Sequence, residues 1–128
     1  MVLEAITIIL PLPPKILSPN CTVATIGGRF AKAAAIKKVR NLASEAVEAE
    51  HIDTIPWKKV SVGVTFYHKD RRRRDQDNAM GSLKAIYDGI VDSGLVGNDD
   101  YEHMQRESPG FRIDTEYPRV QLEITRLE

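Results

Sequence analysis

Val60-Ser61-Val62-Gly63-Val64-Thr65-Phe66-Tyr67 sets Val60, Val62, Val64 and Phe66 in alternation with Ser61, Gly63, Thr65 and Tyr67, and soon meets Arg71-Arg72-Arg73-Arg74-Asp75-Gln76-Asp77-Asn78. A period of two is the signature of a strand with one face inward. Beyond Ala79 the period changes: Met80, Leu83, Ile86, Tyr87, Ile90 and Val91 recur at spacings of one, three and four. That pattern predicts a helix over residues 79–92, with Gly94 as its stop signal. The charged junction therefore falls between a strand and the start of a helix.

Working outward, Ala5-Ile6-Thr7-Ile8-Ile9-Leu10 reads as a buried strand ended by Pro11, Pro13 and Pro14, which cannot donate to a sheet ladder. Residues 16–28 read as an irregular loop. Phe30, Ala33, Ala34, Val39, Leu42, Ala46 and Val47 then predict a helix to about residue 50. Val120, Leu122 and Ile124 alternate with Gln121, Glu123 and Thr125, giving a last strand over residues 119–127. Residues 101–118 have no clear period and leave room for a short extra strand. The expected fold is α/β (α+β): one compact domain over residues 1–128, with a small mixed sheet packed against two main helices. Trp57, most of the tyrosines and the apolar stripes are assigned to its core.

Composition narrows the class. With 128 residues, 42% apolar and 28% charged, the chain fits a single globular domain. No apolar run approaches the roughly 20 residues of a membrane helix, and Glu4 with the early prolines argues against a signal peptide. A lone cysteine, Cys21, forbids an internal disulfide and a cysteine-based zinc site, which suits a reducing cytoplasm. Net charge is zero but divided. Residues 1–74 carry 13 Lys/Arg against 6 Asp/Glu, and residues 75–128 carry 5 against 12. A basic half before an acidic half suits a phosphate-binding surface beside a cation site, and suits equally two halves that neutralise each other.

The junction itself carries chemistry. Arginines neutralise backbone phosphates, and Asp75 and Asp77 can offer oxygens to a hard cation such as Mg²⁺. Asp77, Gly81, Lys84 and Asp88, spaced by four, three and four, share one helix face. Lysine side chains lean toward a helix N-terminus, so Lys84 is expected to reach toward Asp75 and Asp77, with Gly81 leaving space between. Asp99 and Asp100 would complete the group if the chain folds back after Gly94. A divalent ion would relieve the repulsion among these acids and activate water for hydrolysis of a phosphodiester. Each part also has a plainer use: a solvated arginine arm, an Asp/Asn helix cap, a Lys84–Asp88 surface pair and a polar turn. His51, His68 and His103 show no metal-ligand spacing, although His68 lies near the arginines.

The stretch 71–78, followed by Lys84-Ala85-Ile86-Tyr87-Asp88-Gly89-Ile90, Gly94 and Asn98-Asp99-Asp100, resembles the RusA-type Holliday-junction resolvases, a family common in phages and prophages. The opening Leu10-Pro11-Leu12-Pro13-Pro14 with Ser18-Pro19-Asn20, and the closing Pro118-Arg119-Val120, are similar to the family's ends, so the resemblance spans nearly the whole chain. It implies a homodimeric endodeoxyribonuclease that uses Mg²⁺, with Mn²⁺ as a substitute and no organic cofactor, to nick two strands of a four-way junction in recombination and repair. Asp75 and Asp77 match the acids of the family's Asp-x-Asp-Asn motif, Lys84 its helix lysine and Asp88 the acid one turn later. The third metal acid falls at Asp99 or Asp100, and spacing favours Asp99. Lys69 and Arg71, Arg72, Arg73 and Arg74 would hold DNA. In short-form members the lysine stands three residues after the motif asparagine, where this chain has Gly81, so Lys84 lies a near-turn further along the same face. A nuclease of flaps or forks, and a junction-binding protein that does not cut, remain open alternatives.

Overall fold

The computed structural model describes residues 4–17, 24–51, 55–71 and 73–128, and of residues 73–75 it describes the backbone. Cys21, Arg72 and residues 18–20 of the opening motif lie outside the described residues. In chain order the elements are β1 (Ala5–Leu10), α1 (Ile26–Glu50), β2 (Val60–His68), α2 (Arg73–Asp92), β3 (Met104–Arg106), β4 (Gly110–Ile113) and β5 (Arg119–Arg126), with a 3-10 turn at Lys15–Leu17. The five strands form one mixed sheet packed with two helices, as the sequence predicts.

β5 and β2 are the sheet's inner strands, β2 pairing with three others and β5 with two. β5 runs antiparallel to β1 (Ile8↔Leu122) and to β2 (Val64↔Leu122). β3 and β4 both run parallel to β2, through Val60↔Met104 and Phe66↔Phe111 respectively. Parallel neighbours need a long crossover, and α2 supplies it. Residues 101–118 thus hold two short strands rather than one. Neither shows a clear period because three or four residues are too few to display one.

Alternation places Ile8, Leu10, Val60, Val62, Val64, Phe66, Val120, Leu122 and Ile124 on the face covered by the helices, and all are buried. The opposite face carries Thr7, Ser61, Thr65, Gln121 and Glu123, half-buried or exposed. β1 is therefore an edge strand buried on one face only, and its Ile9 is exposed.

α1 begins at Ile26, before the expected Phe30, because Thr25 is extended (φ −103°, ψ 154°) and its hydroxyl accepts from Gly28 N at 3.0 Å. That is an N-cap. Of its residues only Ala43 and Val47 are fully buried, while Phe30 is 72% exposed and Ala33 and Ala34 are exposed too. The expected stripe is buried in the second half of α1 and exposed in the first.

α2 begins at Arg73, so the arginine run straddles the helix start instead of preceding it. Its buried face is Asn78, Ala79, Ser82, Ala85, Ile86, Gly89 and Ile90. Met80, expected in the core, is 49% exposed. Small residues take its place because α1 crosses closely: a Cβ on Gly89 would lie 2.4 Å from Arg40 O and 2.7 Å from Ala43 Cβ. Trp57 and Tyr87 are buried as expected, but Tyr67 is half-buried and Tyr101 and Tyr117 are exposed, so most tyrosines are not core.

Candidate functional site around Lys84 and Asp99

Gly94 ends α2 with φ +86°, a conformation that glycine adopts without a Cβ penalty. Leu95 and Val96 then bury completely, Trp57 N donates to Leu95 O at 2.7 Å, and Trp57 bridges Val96. Val60 N donates to His103 O at 2.9 Å just before β3 pairs with β2. Both ends of the 94–103 loop are thus tied to the entry of β2, and its middle lies against α2.

There Lys84 Nζ stands 2.7 Å from Asp99 Oδ2 and 3.0 Å from Asp88 Oδ1. Arg106, from β3, approaches the same Asp99 Oδ2 at 3.1 Å and donates to Asp99 O at 2.7 Å. Its guanidinium lies 4.7 Å from the centre of the Tyr87 ring, a cation–π position. The Asp99 side chain is 17% exposed, so its two cations act with less water between them than on an open surface. The hydrogen bond from Lys84 holds the Asp99 carboxyl below its ordinary range, against an opposing effect of burial. Reciprocally, Asp99 first and Asp88 second raise Lys84 above a normal lysine. Lys84 is therefore a fixed cation at neutral pH, suited to stabilising charge and unsuited to accepting a proton.

The cluster continues onto α1. Arg40 Nη1 lies 3.9 Å from Asp88 Oδ2, and Arg40 grips Asp92 with two hydrogen bonds, Nε to Oδ2 and Nη2 to Oδ1, the latter at 2.8 Å. Through this contact the Asp92 pKa falls and that of Arg40 rises. Arg106, Asp99, Lys84, Asp88, Arg40 and Asp92 form an unbroken series of alternating charges over β3, the loop, α2 and α1. The surface pair between Lys84 and Asp88 expected from their spacing is present, but it is one link of a longer network.

Asp100 turns away. Its Oδ1 meets His103 Nδ1 at 2.6 Å and accepts from His103 N at 3.1 Å, which closes the turn before β3. That contact lowers the Asp100 pKa. Of the two neighbouring acids, Asp99 joins the helix lysine and Asp100 does not.

Asp75 lies in the first turn of α2 and Asp77 is its fifth residue, half-buried. The side chains of Arg73, Arg74 and Asp75 lie outside the described residues. Lys84 turns toward Asp88 and Asp99, not toward the helix start as its spacing suggested. Seven residues of helix put roughly 10 Å of axis between Asp77 and Lys84, and Asp99 offers a nearer partner. Among the described residues no three His, Cys, Asp or Glu side chains converge as a metal-binding group. Lys69 and Arg71 are exposed beyond the end of β2. His68, near the arginines in sequence, is buried beside the rings of Phe66 and Phe111, nearly parallel to both.

Arg106 and Arg40 are the members of this charge cluster that sequence reasoning missed. Arg106 sits in a segment without periodicity, and Arg40 looked like any polar-face residue of α1. A scan against protein-family models and a search of curated proteins both returned no match for this chain.

Proposed function

We propose that this protein is a Mg²⁺-dependent, structure-selective endodeoxyribonuclease that acts as a homodimer in the cytoplasm and resolves four-way DNA junctions by paired nicks. The observation that carries the proposal is the contact between Lys84 and Asp99, fifteen residues apart. It joins the two separate segments on which the resemblance to RusA-type resolvases rests. No helix among the described residues is long and apolar enough to cross a membrane, in keeping with a partner in solution.

The donor chemistry suits the ion. Asp75, Asp77 and Asp99 offer only carboxylate oxygens, which a hard cation prefers, and Asp99 is kept ionised by Lys84. Lys84 and Arg106 both engage one oxygen, Oδ2, of the Asp99 carboxylate. Asp75, Asp77 and Asp99, with Asp100 in second place, are the residues that would hold the ion. When bound, Mg²⁺ supplies Lewis acidity for water activation and leaving-oxygen stabilisation. The chain's own groups do the rest. Lys69 and the arginines at 71–74 hold backbone phosphates, Lys84 places a permanent positive charge where charge builds on the reacting phosphate, and Arg106 holds the Asp99 loop in position. Two equivalent sites in a two-fold dimer would cut symmetrically related strands.

The deciding experiment offers the purified protein four-way junctions, flaps, forks and linear duplex, each with Mg²⁺, Mn²⁺ or a chelator. Symmetric nicks in the four-way junction that need the metal are expected. Preferential cutting of flaps or forks reassigns the substrate, tight junction binding without any cut makes the chain a binding module, and neither binding nor cutting sinks the proposal.

A further inference from the structure

At the C-terminal end of β2, away from the Lys84–Asp99 contact, a cleft of about 710 Å³ opens between β4 and the first turns of α2. Its size falls within the roughly 300–1,000 Å³ typical of small-ligand sites. His68, Arg71, Gln76, Phe111 and Arg112 line it. The register Phe66↔Phe111 places the Phe111 side chain on the helix-covered side of the sheet, yet β4 is the outermost strand there and the ring is 37% exposed. It is also held flat. Phe111 lies within 18° of parallel to Phe66 at 5.6 Å and within 10° of parallel to His68 at 6.3 Å. Both supporting rings are buried.

An aromatic ring braced by two others, with solvent on its free side and arginines at the rim, suits stacking by a flat ligand. We propose that this cleft receives a nucleobase unstacked from a DNA strand, with Phe111 as the stacking surface and Arg71 and Arg112 contacting the flanking phosphates. Asp70 lines the same cleft, so its charge is mixed. That mixture favours a nucleoside, whose base edge carries both donors and acceptors, over a free anion. Gln76, exposed on the first turns of α2, can both donate to and accept from such an edge. Bases next to a branch point are the most easily unstacked, and aromatic platforms of this kind bind bases without regard to sequence. The inference rests on the proposal that the chain binds branched DNA, and it adds a place for a base next to the start of α2, whose Gln76 stands between Asp75 and Asp77.

The test is photocrosslinking of the full-length protein, in chelator, to a four-way junction and to a short single strand carrying 5-iodouracil, followed by mass spectrometry of the adduct. An adduct on Phe111 is expected for both DNAs. Phe111→Leu should remove it and weaken single-strand binding by roughly 5- to 100-fold, whereas Phe111→Trp should retain binding. Junction binding with every adduct elsewhere, or unchanged single-strand affinity in Phe111→Leu, overturns the cleft while leaving the nuclease proposal standing. Failure of the wild-type protein to bind any DNA overturns both. The wild-type crosslink needs no variant, so it decides for or against the cleft even if the Phe111→Leu protein does not fold.

Discussion

Lys84 and Asp99 face each other across the gap between α2 and the loop that follows it, ammonium to carboxylate at 2.7 Å. Neither residue is placed by its own side chain. Lys84 is fixed by the helix, and Asp99 by the burial of Leu95 and Val96 and by the pairing of Met104 with Val60. Arg106, from β3, then engages the same Asp99 oxygen. A contact that depends on so many independent constraints gives sharp mutational tests.

Lys84→Ala should lower the rate of junction cleavage by roughly 10²–10³-fold, the usual consequence of losing one group that stabilises a transition state. Affinity for the junction should barely change, because one exposed cation adds little to binding. As a mere surface pair, Lys84 would contribute under about 1 kcal/mol to stability and nothing to rate. Single-turnover rates with parallel binding curves separate the two, and a parental rate in Lys84→Ala would remove this residue from the chemistry.

Asp75→Asn, Asp77→Asn and Asp99→Asn should each cut cleavage by orders of magnitude, since each removes a negative oxygen at nearly constant size. Their stabilities should differ. Asp99→Asn leaves Lys84 and Arg106 without their shared carboxylate and should melt below the parent, because Asp99 is a partner of two cations. Thermal melts without metal, run beside cleavage assays, check this pattern. Full activity in an Asp75/Asp77 double variant would end the catalytic assignment.

Arg71→Ala should weaken junction binding and flatten its salt dependence by about one unit of slope if Arg71 contacts a phosphate. Titrations over a range of salt concentrations read the slope directly. An unchanged slope means that the DNA lies elsewhere.

Gly89→Ala should destabilise the fold by about 1–3 kcal/mol, the usual cost of forcing atoms into a packed contact. The added methyl would meet Arg40 O at 2.4 Å, which is backbone and cannot swing aside. Urea unfolding measures the loss. An unaffected midpoint would mean that α1 and α2 separate easily.

Acid should weaken the fold in a specific way. Asp92 and Asp99 are both held below the ordinary carboxylate range, by Arg40 and Lys84 respectively. A group whose folded pKa is depressed binds its proton more readily in the unfolded chain, so stability rises with pH through that window. The contribution is complete above the normal carboxylate range and disappears as pH falls through the folded values. Asp92→Asn should therefore flatten the acid limb of a stability–pH curve, from about pH 5 downward. A limb of unchanged steepness would show that the Arg40–Asp92 pair contributes no net stability.

Much of the architecture was legible from residue order. β2 and β5 announced themselves through alternation, the second half of α1 and most of α2 through spacings of three and four, and the end of α2 through Gly94. What misled was apolar identity taken without context. Phe30 and Met80 fit their helical stripes, yet Phe30 is left exposed and the close crossing at Gly89 shifts the buried face of α2 toward small residues. β3 and β4 were illegible because strands of three and four residues owe their existence to pairing with β2.

By itself the sequence determined the longer elements, their order and one helix face bearing Asp77, Gly81, Lys84 and Asp88, because covalent spacing and helical period suffice for that. Only the tertiary structure decided which acid meets Lys84. Asp99 and Asp100 are neighbours of identical chemistry, and spacing leaned toward Asp99 without deciding between them. The loop's two anchors turn one carboxylate toward α2 and Arg106 and leave the other to hydrogen-bond His103. Partners brought together from fifteen or more residues away are chosen by packing, which no local pattern encodes.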